Sequence, residues 1–330
     1  MNSEKPTQRV SLVIPVYRGE HTLPALLQEL ELLTHLTRSP AGNHFAICEV
    51  LLVHDCGPDR SDTTIEALAA LYPFVRPVWL SKNFGQHPAT LAGMASATGD
   101  WVVTIDEDGQ QDPADLAKML DIAIEQSLQL VYAKPVNPPP HGWLRNLLSR
   151  GAKSTAARLI GSQEFRNFNS YRLIDGEVAR ILAAYCGNGV YLDIALFWVA
   201  GRIGHCPARL RAEICRGPVH ISGYSYIKLL LHFWRLLLTS GTGPLRLITV
   251  AGFAAMSAAL GLAGYALYAK LTQDVPVQGW TSLFVAVAFF GGSILTALGV
   301  IAEYLAAALG IAMGKPLYVV ATKPTRVRLR

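Results

Sequence analysis

The 330-residue sequence is poor in charge and in cysteine, and both shortages exclude classes of protein. Charged residues make up 16% of the chain, below the quarter that is usual in soluble domains, so large buried surfaces or contact with lipid are expected. The five cysteines form an odd set without a C-x-x-C pair, which argues against a disulfide framework or a zinc site and for reduced thiols in the cytosol. The net charge of +5 is too modest to indicate a nucleic-acid partner. The polar first residues run straight into a strand pattern, so no secretory signal is predicted.

Two common nucleotide-binding motifs are also missing. No G-x-G-x-x-G follows a strand pattern and no G-x-x-x-x-G-K-[ST] occurs, so neither a dinucleotide-binding fold nor a P-loop is supported. Apolar strand patterns nevertheless alternate with amphipathic helical ones such as 22–36 and 113–126. The candidate strands are residues 10–16, 49–55, 76–81, 101–106 and 128–133. This alternation predicts an α/β fold with a mostly parallel sheet that binds its ligand beyond the carboxyl ends of the strands.

Four carboxylates crowd together directly after the fourth candidate strand, in the stretch "TIDEDGQQDP". Mutual repulsion and desolvation oppose such crowding unless a cation is bound there. Asp106 and Asp108 form a D-x-D that suits Mg²⁺ or Mn²⁺ bridging to substrate phosphates, although many D-x-D pairs are merely solvated turns. Asp55 ends another strand and could reach the same crevice, or it could cap the following helix. Asp112 and Pro113 are expected to start the next helix as N-cap and N1.

Two long uncharged runs near the C-terminus predict a pair of membrane-spanning helices. Residues 247–269 and 279–302 each exceed the roughly 20 residues that cross a bilayer, and both are rich in small residues. Two buried soluble helices are the less favoured alternative, because such long helices usually have a polar face. Arg246 and the basic residues after 312 place both ends in the cytoplasm. Upstream, "YSYIKLLLHFWRLLLT" has a narrow basic stripe that indicates a helix in the bilayer interface, or else a core helix with snorkelling cations.

Several of these stretches together resemble a known family. "VSLVIPVYRGEHTLPALL", "LLVHDCGPDRSDTT", "LSKNFGQHPATLAGMASATGDWVVTIDEDGQQDP" and "YRLID" are similar to the family 2 glycosyltransferases of GT-A fold. More narrowly, they resemble the polyprenyl-phosphate glycosyltransferases, the group of dolichol-phosphate mannose synthase and the bactoprenol glucosyltransferases. The resemblance extends to the C-terminal anchor and "GKPLYVV". It implies a catalytic domain over 1–220, an interfacial helix over 221–243, two spans within 244–312 (about 246–269 and 279–304), and a cytoplasmic tail over 313–330.

The resemblance also implies roles for individual residues, with Mg²⁺ or Mn²⁺ as cofactor. Asp106, Asp108 and Arg216 would be catalytic, and Asp108 and Gln110 would hold the metal against the diphosphate. The residues implied to bind the nucleotide sugar are Pro15, Tyr17, Glu20, Asp55, Asn83, Gly85, Gln86 and Asp106. Those implied to bind phosphate or the acceptor are Lys134, Arg172, Arg216 and Ser222.

The chain departs from the family pattern at several of these positions. "HDCG" stands for the family's "DDGS", so that His54 and Cys56 replace an Asp and a Gly, and Arg18 replaces an Asn. The Lys of a "SKY" motif is Gly223. Ser170 replaces an Asp that is a proposed catalytic base in relatives. Asp193 is a substitute candidate for that base, or a structural polar residue in a helix.

The expected function is transfer of one sugar to undecaprenyl phosphate at the cytoplasmic face of a bacterial inner membrane, with inversion. The donor is expected to be a UDP-sugar, with a GDP-sugar possible, and the enzyme a multi-pass homo-oligomer such as a tetramer. A missing base is tolerable, because a phosphate monoester with a second pKa near 6 is already anionic. One alternative is a catalytically silent membrane scaffold or regulatory subunit. The other alternative is a processive polysaccharide synthase. It is disfavoured because the sequence lacks a Q-x-x-R-W motif and its two predicted spans are too few to form a translocation channel.

Overall fold

The computed structural model describes residues 6–137, 168–187, 190–211 and 279–322, together with the single residues 252, 254, 257, 261 and 268. Strands and helices alternate along the chain. The strands are β1 (Gln8–Val16), β2 (Thr37–Arg38), β3 (His44–His54), β4 (Val75–Leu80), β5 (Trp101–Thr104), β6 (Leu130–Pro135), β7 (Arg172–Asp175), β8 (Ile203–Ala208) and β9 (Val320–Ala321). The helices are α1 (Leu23–Glu31), α2 (Ser61–Leu71), α3 (Gln86–Ser96), α4 (Asp115–Glu125), α5 (Gly176–Tyr185), α6 (Leu192–Val199) and α7 (Trp280–Ala312).

Within this described part of the chain, nine strands form one mixed sheet. Their order is β8-β6-β7-β5-β1-β3-β4-β9, with β2 beside β3. The four neighbours β5, β1, β3 and β4 run parallel, as do β6 and β8, whereas β7, β9 and β2 are antiparallel to their partners. The expectation of an α/β fold with a mostly parallel sheet is therefore confirmed.

Alternating side chains of β1 show how the sheet is covered on both faces. Leu12 and Ile14 belong to the apolar layer under α1, α2 and α4, and Val13 between them belongs to the layer under α3, α5 and α6. Successive residues of a strand point to opposite faces, so an unbroken apolar run is what a doubly covered strand requires. Gly93 of α3 permits a close approach here, since a Cβ atom would lie 2.3 Å from Val13 Cγ1.

Chain order places a topological switch beside β1. The chain passes from β1 outward to β3 and β4, and then returns to the other side of β1 to form β5. The carboxyl ends of four adjacent parallel strands therefore meet at one edge, with the crevice between β1 and β5, where ligands of such sheets bind.

Two predicted helix boundaries are wrong. Helix α4 begins at Asp115 with Ala114 as N-cap, not at Asp112 and Pro113. The backbone N–H groups of Asp115 and Leu116 bond to the carbonyls three residues earlier, so a tighter turn precedes the helix; Asp112 instead accepts from the Ala114 N–H at 2.9 Å. Helix α1 ends at Glu31 rather than at residue 36, because the chain tightens into three-residue turns from Leu33 onward.

Helix α7 corresponds to the second predicted span and is longer than expected. Its 33 residues reach to Ala312 and give a length of about 50 Å. Among the residues described, it is the one helix long and apolar enough to cross a bilayer. Its most apolar segment is Phe289–Ala306, of which 6% is buried. Such exposure of apolar side chains is unlike a core helix. Apart from the five single residues, the first predicted span lies outside the described residues, as does the interfacial helix 221–243.

Candidate active site

A cavity of about 470 Å³ opens at the carboxyl ends of the four parallel strands. Every one of these strands sends residues into its wall. They are Pro15 and Val16 at the end of β1 and Tyr17 after it, Asp55 after β3, Asn83, Gly85 and Gln86 after β4, and Asp106, Glu107 and Asp108 after β5. Seven of the eight residues expected to bind a nucleotide sugar are thus brought together; the eighth, Glu20, lies outside this lining.

Asp55 joins the ends of β3 and β4. Its buried carboxylate accepts hydrogen bonds from the backbone N–H groups of Phe84 at 2.7 Å and Gly85 at 2.8 Å. Burial raises the pKa of Asp55, and the two backbone hydrogen bonds partly offset this. Gly85 has a φ of 95°, a backbone conformation that side chains disfavour. Asp55 therefore holds the loop that carries Asn83 and Gln86, and the alternative that it caps the following helix is wrong.

The unusual "HDCG" sequence retains a glycine, shifted by one position. Cys56 has a φ of 50°, in the left-handed region where the family's Gly would be relaxed, and its thiol donates to the Leu80 carbonyl at 3.1 Å. A Cβ atom on Gly57 would lie 1.6 Å from the carbonyl oxygen of Tyr17. Gly57 therefore allows the β3 loop to pass against the backbone of the pocket wall.

Asp106 is held by three side-chain donors. Its Oδ1 accepts from Gln86 Nε2 at 2.7 Å, and its Oδ2 accepts from Gln111 Nε2 at 2.9 Å and Ser170 Oγ at 2.5 Å. Burial raises the pKa of Asp106, while the Ser170 hydroxyl, the Arg172 charge and both glutamines act to lower it. The orientation of this carboxylate is therefore fixed before any ligand binds.

Asp108 is the second carboxylate of the D-x-D and faces the cavity. Its Oδ1 accepts from the backbone N–H of Gln110 at 3.0 Å, and the carbonyl of Gln110 accepts from the Arg211 N–H at 2.8 Å. Gln110 thus shapes the turn, but its side chain is absent from the cavity lining.

The donor set at this turn fits a divalent cation that the substrate helps to bind. No group of three or more His, Cys, Asp or Glu residues converges on one point in the described ranges. Mg²⁺ sites at phosphate-transferring centres typically use one or two carboxylates and complete their coordination with substrate phosphates and water. Asp106 and Asp108 beside an open cavity match that requirement.

Glu107 is a site residue that sequence reasoning missed. Its carboxylate accepts from the backbone N–H of Tyr17 at 3.0 Å and that of Arg18 at 2.9 Å, and so links the β5 turn to the β1 loop. Burial raises the pKa of Glu107 to about 7, helped by the charges of Asp59 and Asp106 and opposed by the two backbone hydrogen bonds. A third acid inside a D-x-D was the available signal, but its partners lie about 90 residues away in sequence.

Arg172 and Asp193 lie behind the site and bind each other. Arg172 Nε donates to Asp193 Oδ1 at 2.6 Å and Nη2 donates to Oδ2 at 2.9 Å, and Tyr132 Oη donates to Oδ1 at 3.0 Å. Both charged residues are buried and neither lines the cavity. Burial acts to lower the pKa of Arg172, but the Asp193 carboxylate outweighs it and raises that pKa. The arrangement fits the alternative that Asp193 is a structural polar residue.

Of the remaining predicted residues, the structure describes Lys134 and Glu20, and both lie outside the cavity lining. Lys134 is exposed near the carboxyl end of β6, in register with Pro207 of β8. Glu20 accepts a hydrogen bond from the Arg60 N–H at 3.1 Å. Arg216 and Ser222 are outside the described residues.

Comparison with known proteins points to enzymes that transfer sugars. A prophage bactoprenol glucosyl transferase homolog of Escherichia coli K12 is 25% identical to this chain, over 94% of this chain and 98% of its own length. An undecaprenyl-phosphate 4-deoxy-4-formamido-L-arabinose transferase of Serratia proteamaculans is 27% identical, over 97% of this chain and 95% of its own.

A solved structure, that of Staphylococcus aureus TarS 1–349 with UDP-GlcNAc, aligns with 70% of this chain and 66% of its own. Its TM-score is 0.48 and its sequence identity 16%. The model of "Glycosyl transferase family 2" matches residues 11–182, more than half of the chain, including the carboxyl ends of all four strands that build the cavity. The chain therefore belongs to glycosyl transferase family 2, and it is a glycosyltransferase with a GT-A-like α/β fold.

Proposed function

We propose that this protein transfers one sugar from a nucleotide sugar to undecaprenyl phosphate at the cytoplasmic face of a bacterial inner membrane. The observation that carries the proposal is the D-x-D at the end of β5, which faces a cavity built by four parallel strands. The acceptor class is supported by relatives that match over nearly their whole length and are named for bactoprenol or undecaprenyl phosphate. Helix α7 supports placement of the enzyme where such a lipid lies.

The donor would lie across the edge of the sheet. Pro15, Tyr17 and Asp55 would bound the nucleoside, and Asn83 and Gln86 would face the diphosphate and sugar. A UDP-sugar is favoured and a GDP-sugar is possible. The cavity of about 470 Å³ matches a compact polar ligand of this class.

The chemistry makes modest demands on the protein. Mg²⁺ or Mn²⁺, held at Asp108 beside Asp106, would supply positive charge that stabilises the nucleoside diphosphate leaving group. The acceptor phosphate is an anionic nucleophile near neutral pH, because its second pKa is about 6. The main task of the side chains is to orient donor and acceptor for in-line attack, which would invert the anomeric centre.

The test is label transfer from radioactive nucleotide sugars into butanol-extractable lipid, using membranes that contain the full chain. We expect labelling that EDTA abolishes and that Asp108→Asn lowers by about 100-fold or more. Asp112→Asn is the matched control: it lies in the same acidic block but outside the cavity lining, and an amide oxygen can still accept from Ala114. Labelling that survives both EDTA and Asp108→Asn would refute the proposal, as would no labelling with any donor.

A further inference from the structure

Ser170 shares a closed set of hydrogen bonds with Asp106, the first carboxylate of the D-x-D. The Ser170 hydroxyl donates to Asp106 Oδ2 at 2.5 Å. Gln111 Nε2 lies between the two, 2.7 Å from Ser170 Oγ and 2.9 Å from Asp106 Oδ2, and Gln111 Oε1 accepts the Asp106 N–H at 3.0 Å. The carboxylate therefore has a defined orientation that depends on the position of Ser170.

The backbone of Ser170 is fixed from two strands. Its carbonyl oxygen accepts from Thr104 Oγ1 at 2.6 Å and from Arg172 Nη1 at 3.1 Å. Thr104 and Arg172 face each other in the antiparallel pairing of β5 with β7, and both are buried. Because buried polar groups held by several partners have little freedom, Ser170 is presented to Asp106 in one geometry.

The Arg172–Asp193 pair orients the guanidinium that makes one of these bonds. Two parallel hydrogen bonds join Arg172 to Asp193, which is 1% exposed, and Tyr132 adds a third bond to that carboxylate. A bidentate pair fixes the plane of the guanidinium, so its remaining nitrogen is directed at the Ser170 carbonyl and at Thr104 Oγ1.

We propose that Ser170 is a positioning residue that fixes the Asp106 carboxylate for the nucleotide sugar, with Arg172 and Asp193 as its support. This inference rests on the proposed function. It assigns Arg172 and Asp193 to the support of the donor site in place of phosphate binding and base catalysis. In this chain, a carboxylate at position 170 would be placed at hydrogen-bonding distance from Asp106 Oδ2 and would repel it.

The first experiment measures initial rates for the full chain in lipid nanodiscs, with donor and undecaprenyl phosphate varied in turn. We expect Ser170→Ala to lower kcat/KM for the donor by about tenfold, the effect of one hydrogen bond to a charged group, with KM for the acceptor unchanged. Ser170→Thr keeps the hydroxyl and should stay within about twofold of wild type. Ser170→Asp should be less active than Ser170→Ala. Unchanged donor kinetics in Ser170→Ala, or a Ser170→Asp more active than wild type, would overturn the inference.

A second measurement separates a positioning role from a base. The rate should rise with pH through a midpoint set by the acceptor phosphate and then reach a plateau. Ser170→Ala and Asp193→Asn should keep that midpoint while lowering the plateau rate. A midpoint that moves in Asp193→Asn would identify Asp193 as a base and overturn the inference. Asp193→Asn is also expected to lower Tm, because it leaves the buried guanidinium of Arg172 with a weaker partner. The Ser170 variants decide the case even if Asp193→Asn fails to fold.

A third measurement needs no acceptor: the rise in Tm that UDP produces in the full chain. We expect a smaller rise for Ser170→Ala than for wild type and recovery in Ser170→Thr. Equal rises in wild type and Ser170→Ala would overturn the inference, while transfer by wild type would keep the proposed function. The converse result, stabilisation by UDP that Ser170→Ala weakens without transfer to lipid, would remove the proposed acceptor and support the inference. A wild type that UDP does not stabilise, and that transfers nothing, would overturn both.

Discussion

At the scale of single residues, the acidic groups around the cavity have separate tasks that their partners define. Asp55 and Glu107 each bind two backbone N–H groups and so hold the loops after β4 and β1. Asp106 is itself held by side chains, and Asp108 faces the cavity. Hydrogen bonds thus offset only part of the cost of crowding charge in "TIDEDGQQDP", since the pKa values of Asp106 and Glu107 remain raised.

Asp55→Asn is expected to raise KM for the nucleotide sugar by about tenfold. An amide can present an oxygen to one of the Phe84 and Gly85 N–H groups but must turn an N–H₂ toward the other, and this loosens the loop. Steady-state kinetics with varied donor measure the effect. Asp175→Asn is the matched control, because Asp175 also accepts two backbone N–H groups. It is paired with Trp101 at the start of β5, at the end of the strands opposite the cavity. A normal KM in Asp55→Asn would contradict the role given to Asp55.

The lowered pKa of Glu49 indicates how the free energy of unfolding depends on pH. Burial acts to raise the pKa of Glu49, but hydrogen bonds from Ser11, Thr98 and Arg76 outweigh it and lower that pKa. A carboxylate with a lowered folded pKa stabilises the protein above its unfolded pKa of about 4.3, and this contribution is lost as pH falls through the folded pKa.

Glu49→Gln should therefore lower Tm by about 5 °C at pH 7 and bring the Tm values of variant and wild type together in acid. Thermal unfolding in detergent between pH 3 and pH 7 measures this. Glu31→Gln, which changes an exposed glutamate, is the control and should match wild type throughout. A constant difference in Tm across this range would show that ionisation of Glu49 is not the cause.

The residues that sequence reasoning located and those that it missed differ in a physical way. Pro15 lies at the end of an apolar run, and Asp55 and Asp106 directly follow such runs. Parallel strands bring their carboxyl ends together, so chain position alone predicted that these residues meet. The partners of Glu107 and the pairing of Arg172 with Asp193 depend on packing between distant segments, which no local pattern records. Residue type alone suggested that Arg172 binds phosphate. Only the structure shows that its partner is the Asp193 carboxylate.

At the scale of elements, β9 links the membrane-helix candidate to the edge of the catalytic sheet. Helix α7 ends at Ala312, and after residues 313–319 the chain pairs with Trp79 and Leu80 of β4. The Ser81 N–H also donates to the Val319 carbonyl at 2.9 Å, two residues before Asn83 of the cavity. Seven extended residues span at most about 25 Å, which limits the distance between α7 and this edge.

Val320→Pro should lower Tm by a few degrees and raise KM for the donor, because proline removes a backbone N–H and restricts φ in the strand beside β4. Val320→Thr is the matched control, since threonine keeps the N–H and favours strands. Thermal unfolding and donor kinetics of both variants measure the effect. If Val320→Pro equals Val320→Thr in both, β9 does not support the cavity.

At the scale of the whole molecule, the proposed enzyme places a water-facing donor site beside a lipid acceptor. Helix α7 is exposed along most of its apolar segment Phe289–Ala306, as a lipid-facing helix would be. The first predicted span must cross back if the catalytic domain and the C-terminal strand β9 are to lie on the same side. Pairing of β9 with β4 requires that arrangement when α7 crosses the bilayer.

Labelling with a membrane-impermeant maleimide tests this topology in intact cells stripped of their outer membrane. Asp274→Cys, in the loop predicted between the spans, should be labelled from outside. Leu71→Cys in α2 and Met313→Cys after α7, both exposed side chains, should be labelled after lysis alone. The wild-type chain, whose own cysteines are predicted to lie on the cytoplasmic side, is the background control. External labelling at Met313→Cys would contradict the predicted hairpin.

The most direct measurement is mass spectrometry of the lipid product formed by the purified full chain in nanodiscs with undecaprenyl phosphate, a divalent cation and a panel of nucleotide sugars. We expect, with one donor, undecaprenyl phosphate carrying a single sugar, and one nucleoside diphosphate released per sugar transferred. Lipid bearing a chain of sugars, nucleoside diphosphate released without a lipid product, or no product from any donor would contradict this expectation.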